Sequence, residues 1–335
     1  MDWSLTRIST DLDFERDGRQ IGDLRLPFSN NDQPLGYHPI PVAVLKNGAG
    51  PSLLLLGGTH GDEFEGPAAI MKTVHGLDLA KLRGRVIALP ALNAPALAAS
   101  SRCSPIDGGN LNRAFPGDRD GGPTAMIAQM VEQVLLPRCD AVIDIHSGGK
   151  ASVFAPCALI NRVPAETYGD NRDLAEAFGL PIIWLLGALN DDRSVNAAAA
   201  RQGVPMMACE LGGAGTVSPA MMALGLRGIR RVMTHLGMSS AEATDPDGAA
   251  PRYVEVTSPQ NSLYAPAGGL FEPCFEVADE VDADATAGWL HFVLEPERPP
   301  LELRFQVGGF VISRVNRGLV TRGEKLALVG TDATP

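Results

Sequence analysis

The stretch LLLLGGTHGDEFEGPAAIMKTVHGL, residues 53–77, decides the fold of this chain. Its four leucines are typical of a buried strand, and the segment from Glu65 onward has the apolar spacing of a helix. A glycine-rich turn between the two carries His60 and Glu63. Ligands of open α/β sheets bind beyond the carboxyl ends of the strands, so polar residues at such ends are the candidates for chemistry.

The same alternation of strand and helix continues to about residue 238. The segment PTAMIAQMVEQVLL (123–136) predicts a helix that begins at Pro123, since proline is common in the first turn of helices. Strands that are apolar on both faces and separated by helices predict an α/β fold of three layers, with a mainly parallel mixed sheet between helices. The further predicted strands are RVIALPAL (85–92), AVIDI (141–145), PIIWLL (181–186) and VPMMAC (204–209).

The pattern divides the chain into three regions. Residues 1–50, including PIPVAVL (39–45), are expected to form strands that pack on the core. Residues 51–240 form the predicted α/β domain. After SSAEATDPDGAAP (239–251), short apolar runs separated by Gly, Pro and Asp turns predict a small C-terminal β-domain over 250–335.

Composition excludes several functions. The 335 residues contain 28 Lys and Arg against 39 Asp and Glu, a net charge of -11 that disfavours nucleic acid and anionic membranes as partners. Five dispersed cysteines without a CxxC motif are expected to be reduced thiols. No run of about 18 apolar residues and no leader-like amino terminus occur, so we expect a cytoplasmic location. Whether the chain forms a homo-oligomer stays open.

Three predicted strands end in polar motifs. GGTHGDEFEG follows residues 53–56, HSGG follows 141–145, and ELGG follows 204–209, which places His60, Glu63, His146 and Glu210 at one sheet edge. Two histidines and one glutamate with an open fourth position are typical of a catalytic zinc site, so we expect one Zn²⁺ per chain. A histidine at a single strand end is usually structural, and only the recurrence of the motif favours a metal.

Other acidic residues near these motifs have less certain roles. Asp62 and Glu65 compete with Glu63 as ligands, although the HxxE spacing favours Glu63. Asp144 lies on the same strand face as His146 and either orients that histidine or is structural. Glu210 is interpreted as a general base and acid, with a carboxylate that caps the next turn as the alternative.

The loop SSRCSPIDGGNLNRAFPG (100–117) is longer and more polar than a simple connection requires. Arg113 with Asn112 is suited to holding a carboxylate, because a guanidinium donates two parallel hydrogen bonds. Arg102 in the same loop is a candidate for stabilising a negatively charged carbonyl oxygen. The alternative for both arginines is a solvated surface position.

Taken in order, HGDE, GGNLNRAFPG, DIHSGG and CELGG resemble the succinylglutamate desuccinylase/aspartoacylase family of zinc hydrolases, relatives of the metallocarboxypeptidases, over about residues 50–240. The resemblance implies a carboxypeptidase-like domain followed by a small β-domain that narrows the active-site mouth. It implies the following roles: zinc ligands His60, Glu63 and His146; general base and acid Glu210; a substrate-carboxylate clamp of Asn112 and Arg113; and, less directly, Arg102 beside the carbonyl oxygen.

This sequence departs from the family pattern at one position, and its longer motifs resemble one branch of the family. Many relatives place Asp where this chain has Asn110, so either Asn110 or Asp107 is expected to support a zinc histidine. The longer strings HGDEFEGP, RCSPIDGGNLNRAFPGDRDGGPTAMIA and LLPRCDAVIDIHSGGK resemble the branch that deacetylates Nα-acetyl-L-2,4-diaminobutyrate in ectoine degradation.

The leading hypothesis is therefore zinc-dependent hydrolysis of the amide bond of a small N-acyl amino acid. A metallocarboxypeptidase acting on peptides and a metal- or carboxylate-binding protein without turnover are the alternatives. Cys209 is disfavoured as a nucleophile, because it precedes Glu210 on a strand and should face the opposite side. Whether Tyr264 reaches the site stays open.

Overall fold

The computed structural model describes residues 1–29, 34–187, 191–239 and 250–335, and it has a mixed α/β fold. The expected linker lies largely within 240–249, outside the described residues. The helices are α1 (Glu65–Gly76), α2 (Ala94–Ala98), α3 (Pro123–Met130), α4 (Ala165–Phe178), α5 (Val195–Gln202) and α6 (Pro219–His235). The strands are β1 (Gly18–Phe28), β2 (Gly36–Asn47), β3 (Ser52–Gly57), β4 (Gly84–Leu89), β5 (Ala141–His146), β6 (Ser152–Asn161), β7 (Ile182–Leu186), β8 (Met206–Gly213), β9 (Arg252–Glu255), β10 (Ser262–Tyr264), β11 (Gly269–Pro273), β12 (Glu280–Val281), β13 (Thr286–His291), β14 (Leu301–Arg304), β15 (Gly309–Val315), β16 (Leu319–Val320) and β17 (Lys325–Asp332).

The large sheet has the order β1-β2-β4-β3-β5-β8-β6-β7-β9-β17-β15-β12 among the described residues, with β10 added on β17. Its pairs are parallel within β4-β3-β5-β8 and within β6-β7-β9. The other pairs are antiparallel. Among the described strands of the predicted α/β domain, 51–240, only β6 and β8 pair antiparallel, so the mainly parallel mixed sheet expected there is confirmed. The antiparallel pairs come from the amino-terminal hairpin, the C-terminal strands and the strand β6.

Helices cover both faces of the sheet centre, as the doubly apolar strands predict. Alternate leucines of β3 point to opposite faces, with Leu53 and Leu55 in one core and Leu54 and Leu56 in the other. Residues of α1, α4 and α6 belong to the first core, and residues of α3 and α5 belong to the second. Each strand end at the centre is therefore held on both sides by packed apolar side chains.

Local elements follow the sequence patterns closely, with two differences. The helix predicted at 123–136 begins at Pro123, but after Met130 it continues as a π-helical turn over Val131–Leu135. Strand β6 has no counterpart in the sequence prediction. It contains Pro156, a residue that disfavours interior strands, and the pairing with β8 shifts register between Phe154 and Cys157 to accommodate it.

The C-terminal region is built of strands and one short 3₁₀ turn among the described residues. Strands β14, β13, β11 and β16 form a second sheet, which packs through its own apolar core. Strand β15 pairs with β6 and β9 pairs with β7, so the large sheet continues into this region. No helix in the described part of the chain is long and apolar enough to cross a membrane.

Candidate active site

The turn between β3 and α1 brings His60 and Glu63 to the carboxyl edge of the sheet. Glycines make this turn compact: a Cβ at Gly61 would overlap the backbone of Ala96, and one at Gly66 would overlap the carbonyl oxygen of Ile145. The amino end of α1 consequently lies against the end of β5, directly before His146. Close backbone packing thus brings the turn that contains His60 next to the strand end that contains His146.

Three buried side chains meet at this edge with geometry suited to one metal ion. One ligand atom each from His60, Glu63 and His146 lies within 4.8 Å of the others. Glu63 is central, because its Oε1 lies 2.8 Å from His60 Nδ1 and its Oε2 lies 2.8 Å from His146 Nδ1. The backbone N–H of Ser147 also donates to Glu63 Oε2 at 3.3 Å.

The outer nitrogens of both imidazoles have acceptors. His146 Nε2 donates to Asp144 Oδ2 at 2.8 Å, and the other oxygen of Asp144 accepts from the Thr59 hydroxyl. His60 Nε2 donates to Asn110 Oδ1 at 3.1 Å, and the backbone N–H of Asn112 donates to the same oxygen. Asn110, rather than an acid, therefore orients His60.

Asp107 binds Thr124 and Gly109 and not a histidine. Its carboxylate accepts from the backbone N–H and the hydroxyl of Thr124, at 2.8 and 2.7 Å, and from the N–H of Gly109. These bonds tie the loop to the amino end of α3, and the carboxylate has no hydrogen bond to either histidine. The choice between Asn110 and Asp107 is thus decided by contacts that the sequence does not reveal.

The hydrogen-bond pattern itself fits a cation. When each histidine donates from Nε2, a neutral ring presents a lone pair at Nδ1, and both lone pairs face the acceptor oxygens of Glu63. Such contacts are favourable only with protons or a positive ion between them. Without a metal, the charges of Asp144 and Glu63 outweigh desolvation and raise the pKa of His146 well above its usual value. His60, Glu63 and His146 could therefore hold a metal ion.

Glu210 lies beside this cluster. It pairs in register with His146 across the parallel strands β5 and β8, so the two side chains project to the same face. Strand β8 extends past the predicted end at 209, which places Glu210 within the strand rather than after it. Burial, and then the charge of Glu63, raise the pKa of Glu210 to about 8. Its Oε2 has no hydrogen-bond partner among the described residues.

The long polar loop delivers Arg102, Asn112 and Arg113 to the same cavity. Arg102 Nη1 lies 3.3 Å from Glu63 Oε1, so this arginine is close to the cluster. Asn112 Oδ1 accepts from the backbone N–H of Val195, which leaves its amide N–H groups for a ligand. Arg113 Nε forms an ion pair with Asp191 Oδ2 at 2.8 Å, for which the sequence carries no motif.

The cavity has a volume of about 400 Å³ and is lined by residues from both parts of the chain. Lys325 of β17 reaches it, whereas Tyr264, its register partner on β10, is not among the lining residues. Cys209 lies in an apolar core on the side of the sheet opposite to Glu210. Sequence patterns carried no signal for Asp191, Lys325 or the apolar lining residue Trp184, because none of them belongs to a motif.

Comparison with known proteins assigns this arrangement to a family. Residues 49–236, more than half of the chain, match the succinylglutamate desuccinylase/aspartoacylase catalytic domain. The chain belongs to the succinylglutamate desuccinylase/aspartoacylase family. This membership confirms the family that the four motifs indicate in the sequence.

Relatives in the succinylglutamate desuccinylase/aspartoacylase family align over nearly the whole chain. The N-alpha-acetyl-L-2,4-diaminobutyric acid deacetylase of Halomonas elongata is 38% identical over 325 residues, 96% of this chain and 94% of that protein. A succinylglutamate desuccinylase/aspartoacylase structure from Rhodobacter sphaeroides is 38% identical with a TM-score of 0.92, covering 98% of this chain and 100% of that chain. The product-bound ectoine utilization protein EutE (DoeB) from Ruegeria pomeroyi is 34% identical with a TM-score of 0.93, covering 97% and 99%.

Proposed function

We propose that this protein is a zinc-dependent deacylase that hydrolyses the amide bond of a small N-acyl amino acid. The observation that carries the proposal is that one cavity is lined both by a buried His-Glu-His group and by Glu210, whose Oε2 has no hydrogen-bond partner among the described residues. Arg102, Asn112 and Arg113 line the same cavity, so anionic groups of a substrate meet cations there.

His60, Glu63 and His146 would hold the metal. Catalytic Zn²⁺ is commonly bound by three protein ligands that include histidine nitrogens and a carboxylate. The buried group here has that composition and contains no cysteine, which argues against a purely structural ion. The ion, when bound, would polarise the acyl carbonyl and make water more acidic. Asp144 and Asn110 keep the two rings in the orientation that directs Nδ1 to the ion.

Glu210 carries the proton transfers. Its carboxylate accepts a proton from the water that attacks the acyl carbonyl, and it then delivers that proton to the departing amine nitrogen. Burial, and then the charge of Glu63, raise the pKa of Glu210 to about 8 in the metal-free chain, and a cation at the neighbouring cluster would lower it toward the neutral pH at which both roles are needed. Arg102 would stabilise negative charge on the carbonyl oxygen, a role supported by the 3.3 Å between its Nη1 and Glu63 Oε1.

Arg113 and Asn112 bind the α-carboxylate of the amino acid. Anchoring this group positions the scissile amide against Glu210, so that binding energy reduces the entropic cost of the reaction. The free amide N–H groups of Asn112 and the Nη2 edge of Arg113 supply the donors. Although the chain carries a net negative charge, an anion can bind beside Arg113, because the electrostatic potential in the cavity is set mainly by the charges nearest to it.

The substrate we favour is Nα-acetyl-L-2,4-diaminobutyrate, with a place in ectoine degradation in the cytoplasm. The support is the 38% identity to the Halomonas elongata deacetylase over 96% of the chain, together with the similarity to the ectoine utilization protein. We further propose that residues 51–240 act as a carboxypeptidase-like catalytic domain. The strands of 1–50 pack on that domain, and residues 250–335 restrict its mouth.

A metallocarboxypeptidase is the second candidate, because the same groups would hydrolyse a C-terminal peptide bond. The cavity lining favours the deacylase. Val256 and Lys325, both from the C-terminal region, line the same cavity as His60 and Glu63, which limits the room for an extended peptide. A small acyl amino acid fits a volume of about 400 Å³ more readily.

The test combines elemental analysis of the purified protein with a deacylation screen. N-acetyl, N-succinyl and N-formyl amino acids are assayed alongside Nα-acetyl-L-2,4-diaminobutyrate, its Nγ-acetyl isomer and peptides with free carboxyl ends. We expect about one Zn²⁺ per chain and preferred turnover of the Nα-acetyl compound, abolished by chelation and restored by zinc. Turnover of peptides alone would establish the second candidate, and a metal-loaded protein that cleaves no amide would refute the proposal.

A further inference from the structure

Arg113, the proposed carboxylate-binding residue, is held by contacts that fix its guanidinium. Its Nε forms an ion pair with Asp191 Oδ2 at 2.8 Å, and its Nη1 donates to the carbonyl oxygen of Asn112 at 2.6 Å. Asp191 lines the same cavity as Arg113. A carboxylate of the protein therefore lies where a substrate carboxylate is expected to bind, and its negative charge opposes that binding.

Arg193 offsets this charge. Its Nε donates to Asp191 Oδ1 at 2.9 Å, its Nη2 donates to Asp191 Oδ2 at 2.8 Å, and its backbone N–H donates to Asp191 Oδ1 at 2.9 Å. The two side-chain bonds form the bidentate pair typical of a guanidinium and a carboxylate. The hydrogen bond from Arg193, with a smaller contribution from the charge of Arg113, lowers the pKa of Asp191 to about 2. Asp191 is consequently ionised at every working pH.

The segment that carries these residues is attached to the loop that carries Arg113. The backbone N–H of Phe115 donates to the carbonyl oxygen of Arg193 at 3.2 Å, and the N–H of Val195 donates to Asn112 Oδ1 at 3.0 Å. These two hydrogen bonds join the loop that contains Arg113 to the segment that contains Asp191, close to the ion pair between those two residues. Asp191 therefore keeps its place beside Arg113 even without substrate.

From these contacts we infer that Arg193 is a positioning residue for substrate binding: by neutralising Asp191, it leaves Arg113 with an uncompensated positive charge for the substrate carboxylate. The inference rests on the proposed function. Counted together, Arg113, Asp191 and Arg193 carry one net positive charge. Without Arg193, the remaining pair is neutral, and Asp191 repels an incoming carboxylate.

The inference can be tested with a second substitution that should reverse the effect of the first on KM. Arg193→Gln reduces the three-residue charge to zero, Asp191→Asn raises it, and the double variant restores the wild-type value. Asp192, whose charge also acts on Arg193, is retained in all of these variants. Arg193→Lys keeps the charge but loses the bidentate geometry. Since the Arg193 side chain is 59% exposed, none of these changes opens a cavity in the core.

The measurements are kcat and KM of the zinc-loaded enzyme with Nα-acetyl-L-2,4-diaminobutyrate and with its carboxamide. For Arg193→Gln we expect KM for the carboxylate substrate to rise about threefold to tenfold, with kcat nearly unchanged, because solvent weakens charge interactions at this exposed position. KM for the carboxamide should change little. The double variant and Arg193→Lys should both return KM to within about twofold of wild type.

Two outcomes would overturn the inference. One is an unchanged KM in Arg193→Gln, and the other is a double variant as impaired as Arg193→Gln, which would mean that Arg193 only supports the segment. Arg172→Gln, which removes the exposed partner of Asp173, is the matched control and should leave KM unchanged. If the wild-type enzyme cleaves no N-acyl amino acid, the proposed function has failed; if it does and Arg193 has no effect, only this inference has failed.

Discussion

Asp144 Oδ2 accepts a hydrogen bond from His146 Nε2 at 2.8 Å, and the two residues lie two positions apart on the same face of β5. Asp144 is fully buried, and its other oxygen accepts from Thr59. The imidazole is therefore fixed in orientation before any metal binds, and Asp144 keeps the proton on Nε2 when Nδ1 loses its own. This arrangement increases the basicity of Nδ1, the atom directed at Glu63.

Replacing Asp144 with Asn should weaken metal binding by about 10- to 100-fold, because the amide no longer supports His146 with a negative charge. A competition titration with a chromophoric chelator measures this affinity. Asp173→Asn, at an exposed site, is the control and should bind metal normally. Equal affinity in Asp144→Asn and wild type would show that the hydrogen bond is structural only.

Glu210→Gln should leave zinc content unchanged and lower kcat by about 10²-fold or more, since the amide cannot accept and return a proton. Metal content is measured by elemental analysis and kcat by steady-state kinetics on the loaded protein. The two readouts separate loss of chemistry from loss of metal. Near-normal turnover would remove Glu210 from the mechanism.

Arg113→Ala should mainly weaken binding of substrates that carry a carboxylate, with KM rising by about 10-fold or more, as expected for a lost charge-assisted pair. A carboxamide analogue should lose much less affinity. The comparison is made by KM values for the two compounds under one buffer condition. Equal losses for both would contradict the carboxylate-binding role.

Metal affinity should depend on pH through His146. The charges of Asp144 and Glu63 raise its pKa in the metal-free protein, so metal must displace a proton at any pH below that value. We expect affinity to increase about tenfold per pH unit in that range. The protonated ring stabilises the metal-free fold fully below about pH 6.5, and this contribution is lost as pH rises through the folded-state pKa. Titrations between pH 6 and 8 measure the slope, and a flat profile would contradict the assignment.

Lys325→Met should move the acidic limb of the kcat/KM profile to higher pH by a few tenths of a unit. Desolvation lowers the pKa of Lys325, and the charge of Glu210 offsets part of this effect. The interaction is mutual, so Lys325 favours the ionised form of Glu210. Lys81→Met on the surface is the control. An unshifted limb would show that Lys325 acts on something other than Glu210.

Much of the fold could be predicted because strand and helix patterns are local. Four leucines at 53–56, the helical spacing at 123–136 and the short runs after 250 all correspond to elements of the structure. The sheet topology could not be predicted to the same degree. Strand β6 carries Pro156 and lies between β8 and β7, antiparallel to β8 through a shifted register and parallel to β7, and this pairing depends on neighbours far away in the sequence.

The candidate metal cluster could be predicted because His60 and Glu63 share one turn and His146 ends a neighbouring strand. The supporting groups could not. Asn110 and Asp107 are both acceptors in one loop, and their partners depend on where α3 and His60 lie in space. Asp191 and Lys325 reach the cavity from segments without any motif.

The sequence by itself thus determined the strand-turn-helix elements and the reactive residue types at their ends, because backbone propensity and side-chain spacing act over a few residues. Tertiary structure alone decided which distant acceptors hold the histidines, which charges surround Arg113, and which C-terminal residues line the cavity. Those relationships arise from packing between segments far apart in the chain, where small differences in register or loop path change every contact.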